Sequence, residues 1–190
     1  MSGLKNLVLE EAISNKYVFK PYSKEFVGVF HAQKRHLWKV FSSIKKKEIH
    51  HIGSTSVPTL GGKGIIDLII VVPKKSVSKA KKLLLKAGFI YHHTMRGKRS
   101  FHSKYYVDSK KRPRLIHLHL TYHGSGELDK ALSFVEYLRA HKSVREEYAR
   151  IKRKASSLHS KEGKKYIKFK LKFVEQTVKK ALKWRKSLKN

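Results

Sequence analysis

Residues 51–72 read HIGSTSVPTLGGKGIIDLIIVV, a loop of small residues followed by a continuously apolar segment. The apolar part, IIDLIIVV, is typical of a strand that is buried on both faces. It contains one carboxylate, Asp67, in a chain with 45 Lys plus Arg against 13 Asp plus Glu. Burying an unpaired carboxylate is costly, so Asp67 needs a cation or hydrogen-bond donors. Its position indicates a catalytic or metal-binding role, with a structural ion pair as the alternative.

The loop before this strand has the composition of a phosphate-binding turn. Small residues allow backbone N–H groups to approach an anion, and hydroxyl groups add further donors. The candidate phosphate-binding residues here are Gly53, Ser54, Thr55, Ser56 and Lys63. A plain turn between two elements is the alternative. The GGKG sequence at 61–64 is not a P-loop, because Val57 and Gly64 stand where that motif needs Gly and Ser or Thr.

A second candidate cluster lies in IHLHLT, residues 116–121. Strand alternation puts His117, His119 and Thr121 on one face. A His-x-His pair can present two imidazoles to one metal ion or line a polar cleft. Two histidines do not complete a metal site, so a further ligand must come from Asp67 or His51.

The last third of the chain carries basic and aromatic side chains in helical sequence. We predict that some of them reach over a cleft to phosphate groups, and a solvated basic helix face is the alternative. These candidates are Arg139, Lys152, Tyr166 and Lys170.

The overall pattern predicts an α+β protein. A helix is expected to begin near Ser23, strands follow within 48–122, and helical periodicity starts at Glu127. We expect one domain over 1–190, with a sheet-containing part at about 17–126 and a helical part at 127–190. On the last helix, an apolar stripe is predicted at Ile167, Leu171, Val174, Val178 and Leu182.

The composition limits the functional classes. A net charge of +32 favours anionic partners, including nucleotides and nucleic acid, although lysines spread along the chain also fit a basic surface of no specific function. The absence of cysteine excludes disulfides and thiolate zinc sites. No apolar run has the length of a membrane helix, so no membrane insertion and a cytoplasmic location are expected.

Four segments resemble the GrpB family in order: IHHIGSTSVPTLGGKGIIDLIIVV, HLHL, FVEYLRAHKSVREEYARIK and YIKFKLKFV. This family is assigned to the nucleotidyltransferase superfamily and also occurs fused to dephospho-CoA kinase. The resemblance implies a nucleotidyltransferase-like mixed sheet with flanking helices. It makes Gly53 and Ser54 the phosphate loop, and Asp67 the first carboxylate of an Asp-x-Asp/Glu pair that binds divalent metal with a nucleotide.

This sequence departs from that superfamily pattern at the second carboxylate, where Ile69 stands. A later strand offers His117 and His119 where a third acid is usual, and imidazoles suit Zn²⁺ or Mn²⁺ better than Mg²⁺. The resemblance therefore leaves two alternatives: a nucleotidyltransferase with a rebuilt site, or an inactive module that binds a nucleotide or coenzyme. RNA binding through the basic surface is a third.

Overall fold

The computed structural model describes residues 17–107 and 112–188. Within these described residues, five strands and five α-helices follow the order predicted from the sequence. The strands are β1 Glu48–Ile52, β2 Ile66–Val72, β3 Ile90–Met95, β4 Arg99–Val107 and β5 Pro113–Tyr122. The helices are α1 Glu25–Val40, α2 Val77–Lys86, α3 Glu127–Ala140, α4 Lys142–His159 and α5 Gly163–Ser187.

The strands form one mixed sheet in the order β1-β2-β5-β4-β3. The central pair, β2 and β5, is parallel, and the other three pairs are antiparallel. The register of the central pair sets Asp67 opposite His117 and Ile69 opposite His119. Directly opposite residues share a face of a sheet, so the parallel pairing brings the candidate acid and both candidate histidines to one face.

One face of the sheet packs against α1 and α2. Alternate residues of β2 and β5 point into this apolar cluster, as strand alternation predicts for Leu68, Leu118 and Leu120. From α1 the cluster takes Phe26, Phe30 and Leu37, together with Phe41 just beyond the helix. The two helices thereby close this face of the central strands with apolar side chains.

The other face of the sheet is covered by the helical last third of the chain. Ile52 and Ile69 pack there against Val135, Leu138 and Tyr148 of α3 and α4. The covering is strongest over β1 and β2, which carry these two isoleucines. Asp67 lies on this same face, at the border between the covered part and an open cavity.

The predicted α+β class, a mixed sheet with flanking helices and a helical last third, is confirmed. The predicted stripe on the last helix is wrong in its first half: Ile167 is 49% exposed and Leu171 is also exposed. The buried face of α5 is instead formed by smaller or polar residues, Tyr166, Thr177 and Ala181. Within the described residues, no helix is both long enough and apolar enough to cross a membrane.

Candidate functional site

Gly53 brings the loop after β1 directly against Asp67. Its backbone has φ of +70°, a left-handed conformation that side chains rarely adopt. A Cβ atom at this position would overlap the carboxylate of Asp67. Glycine is therefore required both by the backbone angle and by the close approach of the loop to the acid. The short 3₁₀ turn Ser54–Ser56 follows immediately.

Asp67 is an ionised carboxylate held against an imidazole. Its Oδ1 lies 3.4 Å from Nδ1 of His117, and its side chain is 24% exposed. Burial raises the pKa of Asp67, but the hydrogen bond and charge of His117, with further contributions from Lys63 and His119, bring this pKa below its usual value. The site therefore presents a negative charge to the cavity at neutral pH.

His119 follows His117 by two residues on β5 and lies on the same face of the sheet. Together with Asp67 it lines an open cavity. Burial and the nearby Arg99 guanidinium lower the pKa of His119 to about 3, so its imidazole is neutral. Its buried Nδ1 atom has no hydrogen-bond partner among the residues that the structure describes. A neutral imidazole with an open nitrogen can accept or donate one hydrogen bond to a ligand.

The structure does not bring His51 together with Asp67. Ile52 is the residue opposite Asp67, so the preceding His51 points to the other face of the sheet. There its ring stacks on Phe30 at a centroid distance of 4.7 Å, and its Nε2 lies 3.0 Å from Oγ1 of Thr55. Burial is the main cause that lowers the pKa of His51 to about 4. This histidine supports the loop and does not face the acid.

Two of the three loop hydroxyls are used inside the protein. Thr55 Oγ1 donates to the carbonyl of Ile65 at 3.0 Å, and Ser56 Oγ donates to the carbonyl of Gly53 at 2.7 Å. Both side chains are buried. Ser54 is half-buried, and its Oγ lies beside Cα of Gly62, where a Cβ atom would come within 2.6 Å of it. None of the three residues lines the cavity beside Asp67.

Two of the predicted basic residues hold the loop carbonyls. Lys152 Nζ donates to the carbonyl of Gly61, and Arg139 donates to the carbonyl of Ser56 at 2.5 Å. Lys152 is only 2% exposed, and burial is the main cause that lowers its pKa to about 6. These two side chains connect α3 and α4 to the loop, and their hydrogen bonds to its carbonyl groups hold its conformation.

Lys170 and Tyr166 stand close to each other on α5. Tyr148 is the main cause that raises the pKa of Lys170, so its ammonium group remains charged. Burial raises the pKa of Tyr166 to about 12, which keeps the phenol neutral. The Nζ atom of Lys63 lies 5.0 Å from the ring centre of Tyr17 and 5.7 Å from that of Tyr166. Of these residues only Tyr148 and Lys170 line the cavity.

The cavity has a volume of about 690 Å³ and lies between the sheet and α3 to α5. We call it the Asp67 cavity. Gly53, Asp67 and His119 line it on the sheet side. Its cationic lining residues are Arg96, Lys98, Arg99, Lys130 and Lys170, and its carboxylates are Asp67, Glu127 and Glu175. With five cations against three carboxylates, the cavity favours an anionic ligand.

Four of these cations, Arg96, Lys98, Arg99 and Lys130, were not predicted from the sequence. Three of them belong to the β3–β4 hairpin, whose turn carries Arg96 and Gly97 at positive φ. The hairpin turn TMRGKRS was a recognisable signal for a tight connection. In a chain with 45 Lys plus Arg, however, charge alone does not separate these residues from the rest of the surface.

Among the described residues, no group of three or more His, Cys, Asp or Glu side chains is placed to hold a metal ion. Ile69, which stands where the sequence resemblance implies a second carboxylate, is fully buried and packs against α3. Asp67 is thus a single carboxylate with one imidazole at its oxygen and a second beside it.

Relatives of this chain include two curated bacterial proteins. The UPF0157 protein YqkA of Bacillus subtilis is 29% identical over 170 residues, which cover 89% of this chain and 48% of YqkA. The chain therefore spans about half the length of YqkA. The UPF0157 protein BH1888 of Halalkalibacterium halodurans is 30% identical over 161 residues, or 84% of this chain and 80% of BH1888.

A solved structure of the same fold is known. The crystal structure of conserved protein GrpB from Enterococcus faecalis aligns with a TM-score of 0.76 and 24% identity, covering 88% of this chain and 99% of that one. The Cid1 poly(U) polymerase bound to MgATP aligns more weakly, with a TM-score of 0.47 and 13% identity over 78% of this chain and 48% of that one. The family model described as GrpB protein matches residues 16–180. This chain belongs to the GrpB family.

Proposed function

We propose that this protein binds a nucleotide or another phosphate-containing small molecule in the Asp67 cavity. The observation that supports this most is the cavity lining itself, where cationic side chains exceed carboxylates beside a glycine loop packed against Asp67. Lys170 is suited to phosphate oxygens, since hydrogen bonds between charged groups are the stronger ones, whereas Arg99 already pairs with Glu127 at 3.4 Å. A volume of about 690 Å³ is within the range of small-molecule sites.

The charge of Asp67 determines which part of the ligand can lie next to it. Asp67 repels a phosphate group, so we place the phosphates beside the cationic lining residues of the cavity. Asp67 accepts hydrogen bonds from neutral donors such as sugar hydroxyls, and His119 offers one further hydrogen-bonding nitrogen. Asp67 and His119 on the sheet side, together with the cationic lining residues, match a ligand that joins a phosphate to a hydroxyl-bearing group.

Nucleotidyl transfer with a divalent metal is the finer activity that the family resemblance implies. It normally requires a second acidic ligand, which Ile69 does not provide. We therefore propose ligand binding as the function, and the same experiment tests transfer. Metal enters that experiment as a variable, with Mg²⁺, Mn²⁺ and Zn²⁺ each compared with a chelator.

The experiment is a thermal-shift and calorimetry panel of nucleoside triphosphates, monophosphates and coenzymes. A ligand at about 100 times its dissociation constant should stabilise the protein by about 2.7 kcal/mol. Lys170→Ala should weaken binding roughly tenfold, while Lys172→Ala, which removes an exposed charge from the same helix, should not. Equal effects of the two variants would contradict a site in this cavity.

Asp67→Asn separates binding from transfer. If binding and product formation with a divalent ion are both lost in this variant, the protein is a transferase and our preference for simple binding is wrong. Binding that is unaffected by chelator, with no product, supports the binding function.

RNA binding is the second candidate, and the net charge of +32 favours it. It predicts that affinity for single-stranded RNA falls steeply with salt, with a log–log slope of about −0.7 for each phosphate contacted. A shallow salt response would exclude it.

A further inference from the structure

A second basic pocket lies on the opposite side of the sheet from the Asp67 cavity. Its volume is about 220 Å³, and we call it the Lys81 pocket. It is formed by α2, the 3₁₀ turn Lys74–Ser76 and the end of the β3–β4 hairpin. Ser100 and Leu120 of its floor are paired across β4 and β5, and Leu120 belongs to the apolar cluster beneath α1 and α2. The pocket is therefore a separate depression beside that cluster.

The lining of the Lys81 pocket has one sign of charge. Its ionisable lining residues are Lys74, Lys81, Lys98, Arg99 and Tyr122, with no carboxylate among them. The ammonium groups of Lys74 and Lys81 lie 5.6 Å and 5.5 Å from the ring centres of Tyr122 and Tyr91. In the part of the chain that the structure describes, no acidic side chain pairs with either lysine.

Such a cluster is unfavourable until an anion enters it. Like charges repel one another around a concave surface, and the walls of a pocket focus their field. Arg99 adds a buried Nε donor that has no acceptor within the described residues. Buried donors without a partner are uncommon in native proteins, and an anion is one partner that would satisfy this group.

The polar groups of the floor are already used within the protein. Thr121 donates to the carbonyl of Lys98 at 2.7 Å, and the hydroxyl of Ser100 lies 3.0 Å from Nε2 of His102. The groups that remain for a ligand are the lysine ammonium groups and Nε of Arg99, whose Nη1 atom already lies 3.4 Å from a carboxylate oxygen of Glu127. A compact anion with several acceptor oxygens fits that set better than a neutral ligand.

We propose that the Lys81 pocket binds a phosphate group, separately from the ligand of the Asp67 cavity. The two sites share Lys98 and Arg99, which line both, so the β3–β4 hairpin stands between them. The phosphate has two sources: a second small phosphorylated ligand, or the backbone of a nucleic acid strand. This inference does not depend on the proposed function of the Asp67 cavity.

The test follows amide chemical shifts while inorganic phosphate is added to the full chain. We expect saturable shifts at Gly97, Ser100 and Thr121, with affinity reduced about fivefold to tenfold in Lys81→Ala. Lys82→Ala is the matched control, because it removes the same charge from an exposed position on the same helix. Lys74→Ala provides a second variant in case Lys81→Ala does not fold.

Equal loss of affinity in Lys81→Ala and Lys82→Ala would overturn the proposal, since phosphate would then follow overall charge. Shifts that occur only around Asp67 and disappear in Lys170→Ala would also overturn it. If the Asp67 cavity binds nothing, the shifts at Ser100 and Thr121 still report on the Lys81 pocket alone.

A parallel titration with a short single-stranded RNA of mixed sequence identifies the source. If Lys81→Ala weakens both phosphate and RNA, the pocket serves a nucleic acid backbone. If it weakens phosphate but leaves RNA affinity unchanged, the pocket serves a small phosphorylated ligand. Both results support a phosphate site here.

Discussion

The carboxylate of Asp67 and the Nδ1 atom of His117 lie 3.4 Å apart on adjacent parallel strands, in direct register. The ladder between β2 and β5 sets this separation, so it does not depend on the conformation of a loop. An acid held in this way is positioned before any ligand arrives, which is the usual requirement for a precise site.

Replacing His117 with leucine should raise the pKa of Asp67, because the hydrogen bond and charge of His117 lower it. The lowered pKa adds stability that is present above the unfolded-state pKa and is lost as pH falls through the folded-state pKa; His117→Leu should reduce that contribution. The measurement is the carboxyl ¹³C titration of Asp67. His123→Leu removes a more exposed histidine paired with Glu48 and is the control. An unchanged titration in His117→Leu would show that the pair has no influence on the acid.

Replacing Gly53 with alanine should destabilise the protein more than the same change at Gly124. Both glycines have positive φ, but a Cβ atom at Gly124 meets nothing within 4 Å, whereas at Gly53 it meets the Asp67 carboxylate. The left-handed backbone alone costs about 1–2 kcal/mol, so Gly124→Ala measures that part. Chemical denaturation of both variants gives the difference. Equal free energies of unfolding would disprove the close approach of the loop to Asp67.

Replacing Ile69 with aspartate should not restore a metal site and should destabilise the fold by roughly 3–5 kcal/mol, because it buries a charge and removes an apolar side chain. Ile69 is 0% exposed and packs with Val135 and Leu138 of α3. Ile69→Val, expected to cost about 0.5–1.5 kcal/mol, separates the volume effect from the charge effect. Urea denaturation with and without Mn²⁺ is the measurement. Full stability of Ile69→Asp together with new Mn²⁺ binding would contradict this prediction and show that α3 moves to accommodate the carboxylate.

The protein should lose stability on acidification partly through His102. This residue is 0% exposed, and burial is the main cause that lowers its pKa from 6.5 to about 4. The unfolded chain therefore takes up a proton before the folded one does, so stability is full above the unfolded pKa and falls below it. Between about pH 7 and about pH 5, His102 should account for about 2 kcal/mol of that loss.

The variant His102→Gln tests this contribution by denaturation across the pH range. Its free energy of unfolding should fall less steeply with acid than that of the unchanged protein. Identical slopes in the two proteins would mean that His102 has the same pKa in the folded and the unfolded chain, which would contradict this prediction.

Much of the site could be predicted because strand alternation and loop composition are local signals. The face shared by His117 and His119, and the buried run around Asp67, follow directly from spacing. His51, predicted as a possible further metal ligand, instead lies on the opposite face from Asp67. The same alternation in EIHHI, with Ile49 buried, would have assigned His51 to the opposite face.

The remaining features depend on contacts between distant parts of the chain. Lys152 and Arg139 could be recognised as basic residues near a phosphate loop, but not as donors to Gly61 and Ser56. Their partners lie 91 and 83 residues away, and no local pattern encodes such pairings. The cationic residues of the β3–β4 hairpin could not be predicted as part of the site for a related reason. They line the cavity only because the folded hairpin lies beside it.

The bonds from Lys152 and Arg139 to the loop carbonyls also have a consequence for the dynamics of the protein. A loop held from two helices cannot open by itself, because each opening must break a donor contact from α3 or α4. Its amide protons should therefore exchange with solvent together with those of the helices, as one cooperative unit.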